Sequence, residues 1–437
     1  MPVAGRGIVD SHHPPSRELV DDCVHCGFCL PACPTYVLWG QEMDSPRGRI
    51  YLTRMGLDGR ASFTRSYLEH FDRCLGCMAC VTACPSGVQY GKLIEAVRPQ
   101  LERHAPRSWL DRFFRRMLFA LFPHPGRLRG VAWPLWTYQR TGLQRLVRGS
   151  GVLKLLPRRI QAMESLAPPL AFPGGAAEIP VLSPAQGSSR MRVGLLLGCV
   201  QRVFFPEVNA ATVRVLTAEG CDVIAPRAQE CCGALMVHSG REREALRAAR
   251  ALIDAFDNAN VDLIVTNAAG CGSTLKEYGY LLRDDPRYAA RAAALASRSR
   301  DISEVLAELP PRALRHPVPL RVAYHDACHL QHGQGISAQP RHVLQTIPAL
   351  EVLEIPEGSL CCGSAGIYNL VEPQPAHELG ARKAANILST GADVVASSNP
   401  GCLLQIRTEL AWHGRSLPML HLVEILDASI RGLTLSH

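Results

Sequence analysis

Short apolar runs and longer helical patterns divide this chain into two unlike halves. Beyond residue 190, apolar runs of strand length at 192–198, 262–267, 320–325 and 393–399 alternate with stretches such as 241–258 and 376–389, whose apolar positions recur at helical spacing. Each pair of runs, with the helices between, reads as a β-α-β unit, and the two units are copies of one another. Cys199, Cys231-Cys232-Gly233 and Cys271 of the first return as Cys328, Cys361-Cys362-Gly363 and Cys402, at offsets of 129, 130 and 131 residues. Cys199, Cys271 and Cys402 fall just past an apolar run and Cys328 shortly after one, at the strand edge where open α/β sheets bind ligands. Cys221 has no counterpart and reads as a core residue.

Ahead of residue 190 the rhythm is helical. Residues 44–52 read as a turn feeding a helix, with Asp44 or Ser45 as N-cap and Pro46 at the first helical position. Residues 109–122 set Trp, Leu, Phe and Met among Arg112, Arg115 and Arg116, a basic amphipathic helix closed by Pro123. Such a helix lies on an anionic membrane surface, packs against a partner subunit, or covers the N-terminal unit of its own chain. Residues 1–22 read as a tail or short leading helix, and 167–189, rich in Pro, Gly and Ser, as a linker.

A length of 437 residues allows two or three domains, and 47% hydrophobic with 20% charged residues is the balance of a soluble globular protein. The first 22 residues are too polar for a secretory signal, and no window is apolar for long enough to span a bilayer. Seventeen cysteines, many in C-x-x-C or Cys-Cys pairs, point to cluster or metal ligation in the cytoplasm. The net charge of +8 is concentrated between Arg103 and Arg159, where thirteen basic residues face Asp111 alone. Because the remainder is mildly acidic, the charge gives no reason to expect a nucleic-acid partner.

The chemistry sits in two runs of one spacing, C-x2-C-x2-C-x3-C-P, formed by Cys23, Cys26, Cys29, Cys33-Pro34 and by Cys74, Cys77, Cys80, Cys84-Pro85. In this run three thiolates cap one [4Fe-4S] cube and the fourth ligates the other. The spacing therefore predicts two clusters, one held by Cys23, Cys26, Cys29 and Cys84 and the other by Cys33, Cys74, Cys77 and Cys80. Zinc explains neither the third Cys nor the closing Cys-Pro, and disulfides need an oxidising compartment. Arg47 and Arg49 either lie against a cluster and raise its potential or are solvated surface arginines. In the repeats, Cys199, Cys231, Cys232 and Cys271 form one candidate set and Cys328, Cys361, Cys362 and Cys402 another, for a further cluster, a metal or redox thiols. A vicinal pair suits a larger inorganic core or a redox dithiol better than tetrahedral zinc. His325 and His329 stand beside the second set, core histidines by default. The fold class expected is α+β and α/β: an N-terminal two-cluster ferredoxin-like helical domain at 23–100, a basic aromatic segment and linker at 101–190, and two α/β cysteine-rich repeats at 191–312 and 313–437.

These residues resemble the cysteine-rich-domain iron-sulfur proteins, and over nearly the whole chain the glycolate oxidase iron-sulfur subunits among them. The resemblance is carried by Cys23-Val24-His25-Cys26-Gly27-Phe28-Cys29, Cys33-Pro34-Thr35-Tyr36, Pro46-Arg47-Gly48-Arg49-Ile50-Tyr51-Leu52 and Cys84-Pro85-Ser86-Gly87-Val88. More specific are Gly270-Cys271-Gly272, Lys276-Glu277-Tyr278-Gly279 and Cys361-Cys362-Gly363-Ser364-Ala365-Gly366. It implies an electron-transfer subunit whose partner flavoprotein, carrying FAD, oxidises glycolate to glyoxylate. Electrons would then pass singly through the clusters to a quinone or other acceptor, in the cytoplasm or peripherally at the inner membrane. A flavin takes a hydride and clusters move one electron, so the division is sensible; the absence of a Gly-rich dinucleotide fingerprint puts the flavin elsewhere. The alternatives are sibling subunits serving lactate or glycerol 3-phosphate and a heterodisulfide-reductase-like thiol/disulfide enzyme. In the heterodisulfide members the last Cys begins a C-x-x-C, whereas here Thr274 and Gln405 stand at the closing position.

Overall fold

Ser45 opens the Pro46–Leu57 helix, its hydroxyl accepting the Gly48 N–H at 3.0 Å, in a computed structural model that describes residues 9–170, 172 and 178–435. The first eight residues of the expected tail, and residues 171 and 173–177 of the expected linker, lie outside the described residues. A short leading helix, Arg17–Asp21, follows the tail. The N-terminal unit is then built on the Pro46–Leu57, Arg65–Asp72 and Tyr90–His104 helices, whose Ile50, Tyr67, Phe71, Leu93, Ile94 and Leu101 meet in one buried cluster with Cys74 and Cys80. Each such side chain, fully buried, stabilises by about 1.5–3 kcal/mol.

Among the described residues nine strands follow: β1 (Leu182–Ser183), β2 (Met191–Leu196), β3 (Cys221–Ile224), β4 (Leu263–Thr266), β5 (Ser299–Asp301), β6 (Arg321–Tyr324), β7 (Glu351–Glu354), β8 (Val394–Ala396) and β9 (Met419–Leu420). They form two sheets of order β1-β3-β2-β4-β5 and β7-β6-β8-β9, parallel throughout except for β1. The strand at β1 departs from the sequence reading of 167–189 as linker: Leu182 and Ser183 pair with Ile224 and Val223 and extend the first sheet. The central strands β2, β4, β6 and β8 are nearly continuous apolar runs because helices cover both faces of each sheet. Cys221 is fully buried within β3, as its lone position suggested.

The two sheets share one core. Val193, Leu195 and Val265 of the first sheet and Val215 of a helix on it pack in the same cluster as Val322 and Tyr324 of the second and Leu422 and Leu426 of a helix on that one. Polar contacts tie the same face: Arg214 pairs with Asp427 at 2.7 Å, and buried His421 bonds the Asn267 carbonyl at 2.8 Å. Burial lowers the His421 pKa to about 4, so the ring is neutral and its Nε2–H is the donor. This docking brings the carboxyl ends of β2 and β4 to those of β6 and β8, and so gathers the cysteines that follow each strand.

The basic segment forms the helices Trp109–Leu121, Pro125–Arg140, Leu143–Gly149 and Arg158–Ser165. The inner face of the first, with Phe114, Leu118 and Phe119, packs on Cys199, Cys231, Met236 and Ile367, so it covers the repeats. Arginines at its start reach the N-terminal unit: Arg107, just ahead of the helix, pairs with Asp72 at 2.7 Å, and Arg115 on it lies 3.6 Å from the same carboxylate. Trp109, Leu110 and Phe113 on the outer face remain exposed. Among the described residues no helix is long and apolar enough to cross a membrane.

Candidate functional site

The two Cys runs adopt the same twist. His25 and Gly27 in the first, and Gly76 and Met78 in the second, have positive φ on either side of the middle Cys. Such turns are cheap for glycine and cost roughly 1–2 kcal/mol for His25 or Met78, strain that a ligand-binding loop commonly carries. Each run then bends around a hollow. One is lined by Cys23, Cys26, Cys29 and Cys84, with Cys80 at its wall; the other is lined by Cys33, Cys74, Cys77 and Cys80. Four thiols from two distant runs around each hollow are a donor set that fits the four corners of an iron-sulfur cube. The hollows share the wall made by Cys80, Pro46 and Tyr90, so the two sites are neighbours.

They differ in exposure. Cys26 is exposed and flanked by exposed Val24 and Phe28, whereas Cys33, Cys74, Cys77 and Cys80 are buried. Burial raises the Cys77 and Cys80 thiols, while at Cys74 the effect of burial is outweighed by Arg49 and Arg98 with the Tyr90 hydroxyl and the Gly76 N–H, which hold that thiol below its ordinary value. Arg47 lines the outer hollow, donates to the His25 carbonyl at 3.0 Å and pairs with Glu42 at 2.6 Å. Arg49 is wholly buried beside the inner hollow, donating to the His70 carbonyl at 2.6 Å and to Thr35, with Asp44 at 3.6 Å. Arg98 donates to the Cys74 carbonyl at 2.6 Å; nothing in its sequence context singled it out among the many arginines.

Arg49→Met is expected to lower the potential at the inner site, since a fixed positive charge favours the more negative reduced centre. Asp44 keeps Arg73 and His70 at 2.9 Å each, so the stability loss should stay below the roughly 3–5 kcal/mol of a broken buried pair. Redox titration and thermal unfolding of the variant check the two effects, and an unchanged potential would refute the electrostatic role.

In the repeats, the thiols of Cys199, Cys231, Cys232 and Cys271 form one chain of mutual contacts and those of Cys328, Cys361, Cys362 and Cys402 another. All eight line a single cavity of about 520 Å³ between the two sheets. The basic segment adds an apolar stretch of wall through Leu118, Leu121, Leu128, Val131, Ile160 and Met163. The two sets are electrostatically unlike. In the first set Cys199, Cys231 and Cys232 are all raised above the ordinary thiol value; in the second Cys361 and Cys402 are raised, but Cys328 and Cys362 are held well below it, by neighbouring thiols first and by His329 and His325 respectively. His325 is not the satisfied core histidine expected: it is 1% exposed, no oxygen or nitrogen partners either ring nitrogen, and its polar neighbours are the Cys362 and Cys402 thiols.

The inner hollow abuts this cavity. Cys77 and Leu75 pack in one buried cluster with Cys328, Cys361 and Tyr368. Alongside lies a group of buried ionisable residues that sequence reading missed because its members are far apart in the chain. His238 Nδ1 is 3.3 Å from Glu95, and its ring centroid is 4.6 Å from that of His329. Burial pushes Glu95 up to about 7 and Glu277 up to about 8.

Residues 19–88 match the family described as a 4Fe-4S dicluster domain, residues 193–276 and 322–407 the cysteine-rich domain, and residues 110–167 the linker region of the glycolate oxidase iron-sulfur subunit. The chain is 39% identical over 411 residues to the probable glycolate oxidase iron-sulfur subunit of Bacillus subtilis, and 34% identical over 412 residues to the glycolate oxidase iron-sulfur subunit of Escherichia coli, covering 93% of each chain in both pairings. Lactate utilization protein A of Oceanobacillus iheyensis is 30% identical over 243 residues, 99% of that protein but 55% of this one.

Proposed function

The chain belongs to the family of glycolate oxidase iron-sulfur subunits, and on that premise we propose that it carries electrons from an FAD-binding partner that oxidises glycolate to glyoxylate towards a lipid-soluble acceptor of the quinone class. In this reading Cys23, Cys26, Cys29 and Cys84 hold the entry cluster, and Cys33, Cys74, Cys77 and Cys80 the inner one. The observation that carries it is the unbroken line from exposed Cys26, through the wall at Cys80, to Cys77 packed against Cys328 and Cys361 at the edge of the eight-cysteine cavity. Exposed Val24 and Phe28 beside Cys26 suit a docking surface for the flavoprotein. When bound, the clusters supply one-electron chemistry; the chain's own residues hold them, exclude water from the inner one and set its electrostatics through Arg49 and Arg98.

The division of labour follows the five segments drawn from the sequence, with 23–100 as the relay, 101–190 as the cover and the two repeats as the receiving end. The cover serves the acceptor. Its inner faces make the apolar cavity wall, and its outer faces expose Trp109, Leu110, Phe113, Trp133, Leu146 and Leu155 among arginines, a surface suited to an anionic membrane.

Val131 and Ile160 line the cavity and are also partly exposed, which makes them its mouth. Val131→Trp with Ile160→Trp is expected to cut glycolate-dependent reduction of a short-chain quinone at least tenfold while reduction of a water-soluble dye by the entry cluster persists. Equal loss with both acceptors, or with neither, would count against the cavity as the acceptor's route. Flotation of the complex with anionic but not neutral vesicles tests the membrane contact, and a panel of 2-hydroxy acids given to the flavoprotein complex tests the substrate.

A further inference from the structure

Two anchors bring the repeats into register. Arg192 and Arg321 each donate their backbone N–H to an aspartate on the next strand, Asp262 at 2.8 Å and Asp393 at 2.9 Å. Gly233 and Gly363, both with positive φ, abut the carbonyl oxygens of Ala245 and Ala376. With these pairs fixed, four positions around the cysteines change in one direction: Leu196, Val200, Leu252 and Ala268 of the first repeat stand where the second has His325, His329, Lys383 and Asn399.

Each replacement is turned on the second set of thiols. A ring nitrogen of His325 and the sulfurs of Cys362 and Cys402 all lie within 4.8 Å of one another. His329 Nδ1 is 3.5 Å from the Cys328 sulfur, and Asn399 Nδ2 donates to the Cys402 sulfur at 3.3 Å. Lys383, wholly buried, donates to the carbonyls of Glu357 and Gly358 in the loop leading to Cys361. The exchanges in the opposite direction are weaker. Arg202, against Gln331, is partly exposed and donates to the Gln229 carbonyl; Asp326, against Leu197, is held in a two-point pair with Arg341. Glu409, against Tyr278, has its carboxyl pushed up to about 8 by burial and so is mostly neutral at pH 7.

Donors to cluster sulfurs and nearby positive charge stabilise the reduced form, and a neutral imidazole in place of a thiolate removes one negative charge from the ligand set. With His325, which meets Cys362 and Cys402, the second repeat offers five donors linked in one chain of contacts, more than a tetrahedral ion takes. We propose that the second repeat holds an iron-sulfur centre of mixed imidazole and thiolate ligation, with His325 among its ligands, at a higher potential than an all-thiolate centre in the first, and that it is the electron-accepting end of the chain. The proposal rests on the relay reading above. Each step moves one electron: the inner cluster is oxidised by one as the second-repeat centre is reduced by one, the electron having come from the partner's reduced flavin.

The test uses the full chain, purified anaerobically with [15N]histidine, in an EPR-monitored redox titration with iron and zinc analysis. The signal lost in Cys362→Ser but kept in Cys232→Ser is expected to show 15N hyperfine coupling and to appear at a higher poise than the signal with the reverse dependence. His325→Leu, the residue type of the first repeat, should remove the coupling and lower the reduced fraction at fixed poise at least tenfold, which is about 59 mV for a one-electron couple. Asn399→Ala should lower it while leaving the coupling in place. A second-repeat signal without nitrogen coupling in the unsubstituted chain, a potential at or below that of the first repeat, or zinc as the metal lost in Cys362→Ser would each overturn the proposal and leave the N-terminal relay standing. Iron confined to the N-terminal unit would overturn it together with the extension of the relay into the repeats.

Discussion

Cys77→Ser is expected to stop electron delivery to any acceptor beyond the entry cluster, while glycolate still reduces the flavin of the partner subunit. Cys77 is buried, lines the inner hollow with Cys33, Cys74 and Cys80, and packs against the cysteines of the second repeat. Serine is close to it in size, so the core should survive, but it offers a hard oxygen where iron in a sulfide cluster takes thiolate. Loss of an outer partner of a metal ligand costs roughly 10- to 100-fold, and loss of the ligand itself should exceed that. Stopped-flow bleaching of the flavin against quinone reduction separates the two halves of the reaction. Unchanged coupled turnover would refute the assignment of the inner cluster. Cys33→Ser should copy the defect and Cys84→Ser should damage the entry cluster instead, because each Cys-Pro cysteine lines the hollow of the other run.

Gly240→Ala should uncouple the N-terminal unit from the repeats without touching a cysteine. Gly240 has φ of +74°, and a Cβ there would lie 2.5 Å from the backbone carbonyl carbon and oxygen of Arg98. The neighbour is helix backbone, which cannot swing aside as a side chain can. A left-handed alanine costs roughly 1–2 kcal/mol and overpacking roughly 1–3 kcal/mol more. The same junction holds His238 against Glu95 and aligns Cys77 with Cys328, so a shift here lengthens the electron's path, and transfer falls steeply with distance. The expected phenotype is full iron content in the N-terminal unit, normal dye reduction there, slowed quinone reduction and a lower unfolding temperature. Normal stability together with a normal quinone rate would show that this contact does not set the junction.

Lys383, Arg49 and His325 show where local reasoning stops. Lys383 stands in the helical pattern at 376–389 and nothing in the sequence marks it out, yet the helix turns it wholly inward. For Arg49 the sequence left burial and exposure equally open, and only the packing of Asp44, Thr35 and the His70 carbonyl around it decided the matter. His325 was expected to be satisfied by its core, but its surroundings supply no partner except the thiols.

By itself the sequence determined what depends on near neighbours: the paired x2 loops of the two Cys runs, a helix capped at Asp44 or Ser45, the strand runs ending at cysteines, and a repeat legible in its offsets. Those features are written within a few residues, where backbone geometry and spacing leave few alternatives. Tertiary structure alone decided that both repeats turn their cysteines into one cavity, that the basic helix covers that cavity with one face and exposes the other, and that the two repeats differ in charge around matching sulfurs. Such facts depend on which faces meet across a hundred residues or more, and an apolar or charged side chain carries no local mark of the partner that will bury it.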